Sequence, residues 1–226
     1  MDKAILVEIS ARHMHLTQEA FDFLMGLEEG QHGQLNVKKE LSQPGQFASD
    51  SKFDLVGPVN EKTGKPRVIK GVSVLGPFRP ENQVEISLTD ARTLGVKAPV
   101  RLSGDIKGSA GISIVNPANG RELKLEEGTI AAKRHIHMTP ADAEHYKVKD
   151  GDVVLVGVAS EDRSLIFDDV VIRVSPKFSL AMHLDTDEAN AAGISGNAKG
   201  YILNEECCCE DEECGCEEGH CCCENK

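Results

Sequence analysis

Two segments of this 226-residue chain repeat a pattern suited to chemistry. Arg12-His13-Met14-His15-Leu16-Thr17 recurs as Arg134-His135-Ile136-His137-Met138-Thr139, 122 residues further on. In a strand, residues i and i+2 face the same side, so an H-x-H pair aims two imidazoles at one point, as two ligands grip one metal. A single pair is a weak signal, because histidines satisfied by ordinary hydrogen bonds are common. Two copies in one R-H-x-H-[LM]-T frame shift that balance. Catalytic zinc commonly takes three protein ligands and keeps one position open. His183, in Met182-His183-Leu184-Asp185-Thr186-Asp187, is placed to complete one set of three. Glu85, in Gln83-Val84-Glu85-Ile86-Ser87, is a carboxylate candidate for the other. Arg79, in Gly76-Pro77-Phe78-Arg79, is a candidate anion clamp between them, against the plainer reading of a surface arginine. His32 and His145 stand alone in polar stretches and read as solvated side chains. No G-x-S-x-G elbow, P-loop or G-x-G-x-x-G is present.

The elements that must position these residues are mostly strands. Short runs rich in Val and Ile predict strands over Ala4–Ser10, Lys52–Gly57, Val68–Leu75, Gln83–Ser87, Val100–Ser103, Gly111–Val115, Gly128–Lys133, Asp152–Val158 and Val170–Val174. Gly57-Pro58, Gly76-Pro77, Asn119-Gly120 and Asp150-Gly151 read as breakers. Helices are few and short: Gln18–Met25 capped by Thr17, Asp90–Leu94 capped by Thr89, Ala141–Tyr146 capped by Thr139, and a fourth beginning near Glu188–Ala192. Many short strands with few helices predict a mainly β fold of barrels or a sandwich. The repeat predicts two similar halves, each contributing a strand–HxH–helix corner to a shared site.

Composition divides the chain. Residues 204–226 hold nine acids, one lysine and all eight cysteines, whereas Met1–Leu203 holds 24 basic and 28 acidic residues and no cysteine. A disulfide framework for the body is thereby excluded, as is a catalytic thiolate within it. The net charge of −12 argues against nucleic-acid binding. No apolar run is long enough to cross a bilayer, and the start of the chain reads as a strand, not a signal peptide. The tail, Cys207-Cys208-Cys209 through Cys214 and Cys216 to Cys221-Cys222-Cys223 with His220, suits soft metals. Three readings of it stay open: a metal-loading or storage tail, a redox or metal sensor, and an acidic tail without catalytic role.

At its motifs the sequence resembles the PduL-type phosphate acyltransferases (phosphate propanoyltransferases), from about Val7 to Ala192. The resemblance rests on ordered blocks: residues 10–16 (SARHMHL), 41–48 (LSQPGQFA), 74–79 (VLGPFR), 83–87 (QVEIS), 89–92 (TDAR), 101–105 (RLSGD), 133–138 (KRHIHM) and 183–190 (HLDTDEAN). It implies two small β-barrels with short capping helices, one formed by residues 1–12 with 130–203 and the other by 13–129, followed by the tail 204–226. It implies reversible transfer of a short acyl group, propanoyl or acetyl, between coenzyme A and phosphate. By resemblance, His13, His15 and Glu85 hold one zinc, and His135, His137 and His183 a second, with cobalt or iron as alternatives. Arg79 matches the family's phosphate-binding arginine, and Ile9, Ser10, Ala11 and Asn190 match positions that contact coenzyme A. Ser73 departs from the family, which often carries an arginine there for the nucleotide end of coenzyme A; Lys65, Arg67 and Lys70 are candidates to replace it. The short segment before His13 lacks the amphipathic leader of relatives packaged in bacterial microcompartments, so the expectation is a cytoplasmic enzyme, and the family implies a homodimer. Two rivals remain: a metal-storage protein working through its tail, and a zinc-dependent thioester or phosphate-ester hydrolase.

Overall fold

The structure, a computed structural model, describes residues 3–196 and 198–203; the cysteine-rich tail and every expectation attached to it lie outside the described residues. The chain opens with β1 (Ile5–Ser10), β2 (His13–His15) and α1 (Gln18–Met25). Then come β3 (Val37–Glu40), β4 (Phe47–Asn60), β5 (Lys65–Gly76), β6 (Gln83–Glu85) and α2 (Leu88–Leu94), followed by β7 (Val100–Arg101), β8 (Ala110–Val115) and β9 (Glu122–Ala132). The remainder comprises β10 (His135–Met138), α3 (Pro140–Tyr146), β11 (Val153–Val158), β12 (Leu165–Val174), β13 (Ala181–Asp185), α4 (Thr186–Ala191) and β14 (Ala198–Leu203).

The fold is mainly β, as the sequence predicts, and its strands form two barrels. In one, β1, β13, β10, β12, β11 and β14 close in that order. The first strand of the chain thus lies between two of the last, parallel to β13 and antiparallel to β14. The second sheet runs β3-β4-β5-β2-β6-β9-β7, and β8 pairs with both β4 and β9, which completes a ring of β4, β5, β2, β6, β9 and β8. The chain passes from the first barrel to the second between Ser10 and His13, and back between Ala132 and His135.

Alternation fixes which side chains face each core. Ile5 and Val7 of β1 and Ile136 and Met138 of β10 are fully buried with Val156, Val170, Ile172, Met182 and Leu184 in the first barrel. Met14 and Leu16 are fully buried with Phe21, Leu24, Phe53, Leu55, Val74, Val84 and Ile114 in the second. The apolar residues of each H-x-H segment therefore enter a core, and period-two geometry turns the histidines to the other face.

The helices are fixed by their caps. Thr17 accepts the Ala20 N–H at 3.1 Å, and Gly26 closes α1 in the left-handed region at φ 80°. Thr139 and Asp142 form a reciprocal capping box on α3, and Asp185 and Glu188 form another on α4, which begins at Thr186, earlier than predicted. α2 also starts earlier than predicted: Ser87, not Thr89, caps it by accepting the Asp90 N–H. The Thr89 N–H is bonded instead to Asp187, which ties α2 to α4.

Gly57-Pro58 is a correction of a different kind, because it lies inside β4 and is not a turn. A Cβ at Gly57 would meet the Leu94 carbonyl oxygen at 2.1 Å, so the glycine is there to let α2 pack on the strand. β3 escaped prediction because all four of its residues are exposed and carry no alternation. Among the described residues no helix is long and apolar enough to cross a membrane.

Candidate active site

The two H-x-H strands meet a third side chain in the same register. His13 on β2 pairs with Glu85 on antiparallel β6, and His135 on β10 pairs with His183 on antiparallel β13. Paired residues point to one side of a sheet. The result is two sets of three, His13–His15–Glu85 and His135–His137–His183, each with its nitrogen or oxygen atoms within 4.8 Å of one another. Both sets line one cavity of about 680 Å³ between the barrels.

The electrostatics of the two sets differ. Burial lowers the affinity of His13 for a proton, but the Glu85 carboxylate 3.5 Å from its Nε2 more than reverses this, and the net shift is upward. Glu85 is held well below the usual carboxylate range: burial opposes ionisation, and His13, His15 and the Ser103 hydroxyl overcome it. With no cation present the carboxylate and the raised proton affinity of His13 support one another. The all-histidine set has no acid among its three members, although the Glu8 carboxylate lies 3.9 Å from His183 Nδ1. Burial and the neighbouring imidazoles push His137 down to about 2 and His183 down to about 3, and burial lowers His135 as well. Its rings are neutral bases, the form that binds a metal.

Unsatisfied atoms point the same way. The Nδ1 atoms of His13 and His135 are anchored on the carbonyls of Ala11 and Lys133, at 2.9 and 2.8 Å. Among the buried polar side-chain atoms of the described residues, three lack a hydrogen-bond partner: His15 Nδ1, His137 Nδ1 and Thr129 Oγ1. Two of these three belong to the clusters. Orphaned ring nitrogens in sites of two or three imidazoles fit a divalent cation.

Around the clusters, Arg79 is partly buried, and its Nη1 donates to Ser103 Oγ at 3.0 Å. Ser103 donates in turn to Glu85 Oε1 at 2.7 Å, and Gln83 Nε2 donates to both Ser103 and Glu85. Gln83 Oε1 also accepts the Gly104 N–H. Gln43 spans the two barrels: it donates to the Ser179 carbonyl and accepts the Ser179 N–H, at 3.0 and 3.2 Å.

Of the residues singled out from the sequence, the six cluster residues, Arg79, Ile9, Ser10 and Ala11 all line the cavity. Asn190 does not; it is exposed on α4. Ser73 lines the cavity, but Lys65, Arg67 and Lys70 do not, and the lysine brought there is Lys39. Sequence reasoning missed Ser103, Gln83, Gln43, Phe178 and Arg173. Arg173 left a readable trace, a lone charge inside the apolar run Val170–Val174. His32, read as solvated, is exposed and pairs with Asp22 at 2.9 Å.

Two barrels that bring two three-ligand clusters and a partly buried arginine to one cavity have the make-up of an enzyme, and comparison with known proteins gives its kind. A family model described as phosphate propanoyltransferase matches residues 6–195. A phosphate propanoyltransferase of Thermotoga maritima is 52% identical over 202 residues, which is 89% of this chain and 90% of that protein. Proteins of the same name from Alkaliphilus metalliredigens and Salmonella typhimurium are each 47% identical, over 87% and 84% of this chain and 86% and 84% of theirs. The chain is an acyltransferase, and it belongs to the phosphate propanoyltransferase family.

Proposed function

We propose that this enzyme transfers a short acyl group, propanoyl or acetyl, between coenzyme A and inorganic phosphate at a site with two divalent cations, zinc being the first candidate. The observation that carries the proposal is the convergence of two three-ligand sets and Arg79 on one cavity, in a chain whose relatives are named phosphate propanoyltransferases. His13, His15 and Glu85 would hold one cation, and His135, His137 and His183 the other. Cations there supply Lewis-acid charge for phosphate and for the oxyanion that develops on the thioester carbonyl.

The chain's own residues do the rest. Arg79, fixed on Ser103, binds phosphate and aims one oxygen at the carbonyl carbon. Ile9 and Ser10, at the end of β1, and Ala11 just beyond it hold the coenzyme A arm, with Asn190 nearer its outer end. The phosphate oxygen forms the new C–O bond, the C–S bond breaks, and coenzyme A leaves as its thiolate, which takes up a proton. Holding the two reactants together can supply roughly 7–11 kcal/mol of the barrier. No acyl-enzyme is formed, which suits a body without cysteine.

The test is loss of thioester absorbance from propanoyl-CoA and acetyl-CoA by metal-replete protein, with and without phosphate. Phosphate-dependent loss that disappears in His13→Ala and His135→Ala supports the proposal. Loss that needs no phosphate makes the protein a hydrolase, and no loss with both cations bound removes the transferase reading. Capture of a covalently acylated side chain during turnover would overturn direct attack.

A further inference from the structure

We propose that Arg173 is a second arginine for the transferred phosphoryl group, gripping with Arg79 the non-reacting oxygens of phosphate, or of the acyl phosphate in the reverse direction. This deepens, and rests on, the phosphate acyltransfer reading above.

The two arginines reach the cavity from different barrels. Arg79 lies beyond the end of β5, in the second barrel, whereas Arg173 lies on β12, in the first. In the parallel register of β10 and β12, Arg173 is the partner of His137 and so leaves the sheet on the histidine side. It lines the same cavity as both clusters. Phe178 forms its shelf, with the guanidinium 5.9 Å from the ring centroid and the ring itself 4.1 Å from that of His137. Such stacking holds a guanidinium while leaving its N–H donors unused.

Those donors have nowhere else to go. Among the described residues the Arg173 guanidinium has no hydrogen-bond or ion-pair partner and meets only the face of Phe178. Of the acids that line the cavity, Glu85 is engaged by His13, Gln83 and Ser103, Glu8 accepts from Ser42 and faces His183, and Glu40 is exposed; none is an ion-pair partner of Arg173. Arg173 therefore stands as a cation without an ion-pair partner among the described residues, close enough to Arg79 for its charge to weaken that guanidinium's hold on its proton. Two guanidiniums on one cavity repel each other, and a multiply charged anion between them relieves the repulsion. Coenzyme A carries phosphates too, but they sit at the far end of its long arm from the thioester sulfur. Arg173 sits beside His137, where the reacting atoms meet, so the transferred phosphoryl group is its partner.

The test uses the metal-loaded full chain, with inorganic phosphate as the probe. Arg173→Ala is expected to raise the phosphate KM roughly 10- to 100-fold, the scale of a lost hydrogen bond to a charged group. Calorimetric affinity for phosphate falls by the same factor, while the acyl-CoA KM stays within about twofold and the metal content is unchanged. Arg173→Lys recovers part of the loss, because it restores charge without the planar fork. Arg173→Gln keeps the side chain long and is the second variant if truncation disturbs the metal content. Phosphate affinity within twofold of wild type in Arg173→Gln overturns the proposal, as does a rise in the acyl-CoA KM alone, which would assign Arg173 to coenzyme A. A wild-type chain without phosphate-dependent turnover removes the underlying reading itself, an outcome that no Arg173 variant can mimic.

Discussion

Glu85 stands in the second barrel where His183 stands in the first. Each lies across an antiparallel pair from the first histidine of its H-x-H segment, and each precedes a helix N-cap by two residues, Ser87 and Asp185 respectively. The helix that follows presents its third residue, Asp90 or Glu188, to the arginine that opens the motif: Arg12–Asp90 is 2.6 Å and Arg134–Glu188 is 2.9 Å. The repeat thus includes the third member of each set and the ion pair behind it. It differs in the one residue that changes the charge of the site.

That difference makes the two sites separable. Glu85→Gln is expected to leave one cation per chain in the all-histidine set, and His183→Ala to leave one in the other, as read by elemental analysis. Both lower turnover by roughly two orders of magnitude or more, the scale of losing one transition-state contact.

The raised proton affinity of His13 gives a second distinction. A cation entering the Glu85 set competes with a proton that the carboxylate favours on His13, so binding there is expected to release more protons than binding in the all-histidine set, whose members are all shifted down. Calorimetry in two buffers of different ionisation enthalpy measures the release. Glu85→Gln should reduce it, because the carboxylate is what retains that proton.

Acid stability of the metal-free chain follows from the other set. His137 and His183 have folded-state values of about 2 and about 3 against an ordinary value of 6.5. Below pH 6.5 the unfolded chain therefore binds more protons than the folded one, and stability falls as pH falls from there toward 3. Thermal melts of the metal-free protein should show the midpoint dropping steadily across that window. In His137→Phe the drop is expected to be shallower; an equal slope would mean that these histidines are not buried as neutral bases.

Much of this was legible in the sequence. The H-x-H repeat gave four of the six cluster residues, because period-two geometry is local. Glu85 and His183 were candidates from their residue types, but their register opposite His13 and His135 depends on strand pairings 72 and 48 residues away in sequence. Thr17 and Thr139 marked their helices correctly, whereas Thr89 misled because Ser87, two residues earlier, offered the same hydroxyl chemistry. Ser103 and Gln83 could not be chosen from sequence, since small polar residues acquire meaning only from what they touch. Arg173 could have been, as a charge that no apolar strand needs.

Ser103 is the joint between Arg79 and Glu85. Ser103→Ala removes one acceptor from the arginine and one donor from the carboxylate, a loss of about 1–3 kcal/mol. Steady-state kinetics should place it mainly in a raised phosphate KM, and Ser103→Thr should restore most of it. An effect confined to thermal stability would make the hydroxyl structural only.

Gly57→Ala tests the packing of α2 on β4. The added methyl would stand 2.1 Å from the Leu94 carbonyl oxygen, so the helix must shift. Overpacking of this kind costs roughly 1–3 kcal/mol. Denaturant unfolding should show the loss, with cation content retained.

The place of β1 also sets an order of assembly on the ribosome. The ring β4, β5, β2, β6, β9 and β8 is complete once Ala132 has emerged, and with it the set of His13, His15 and Glu85. β1 was synthesised before any of these strands, yet its partners β13 and β14 appear only after residue 180. Ile5 and Val7 must wait, unpaired, for nearly the whole chain to be made. The site beside Glu85 can thus exist on a nascent chain that ends at Ala132, whereas the all-histidine site must await His183 on β13.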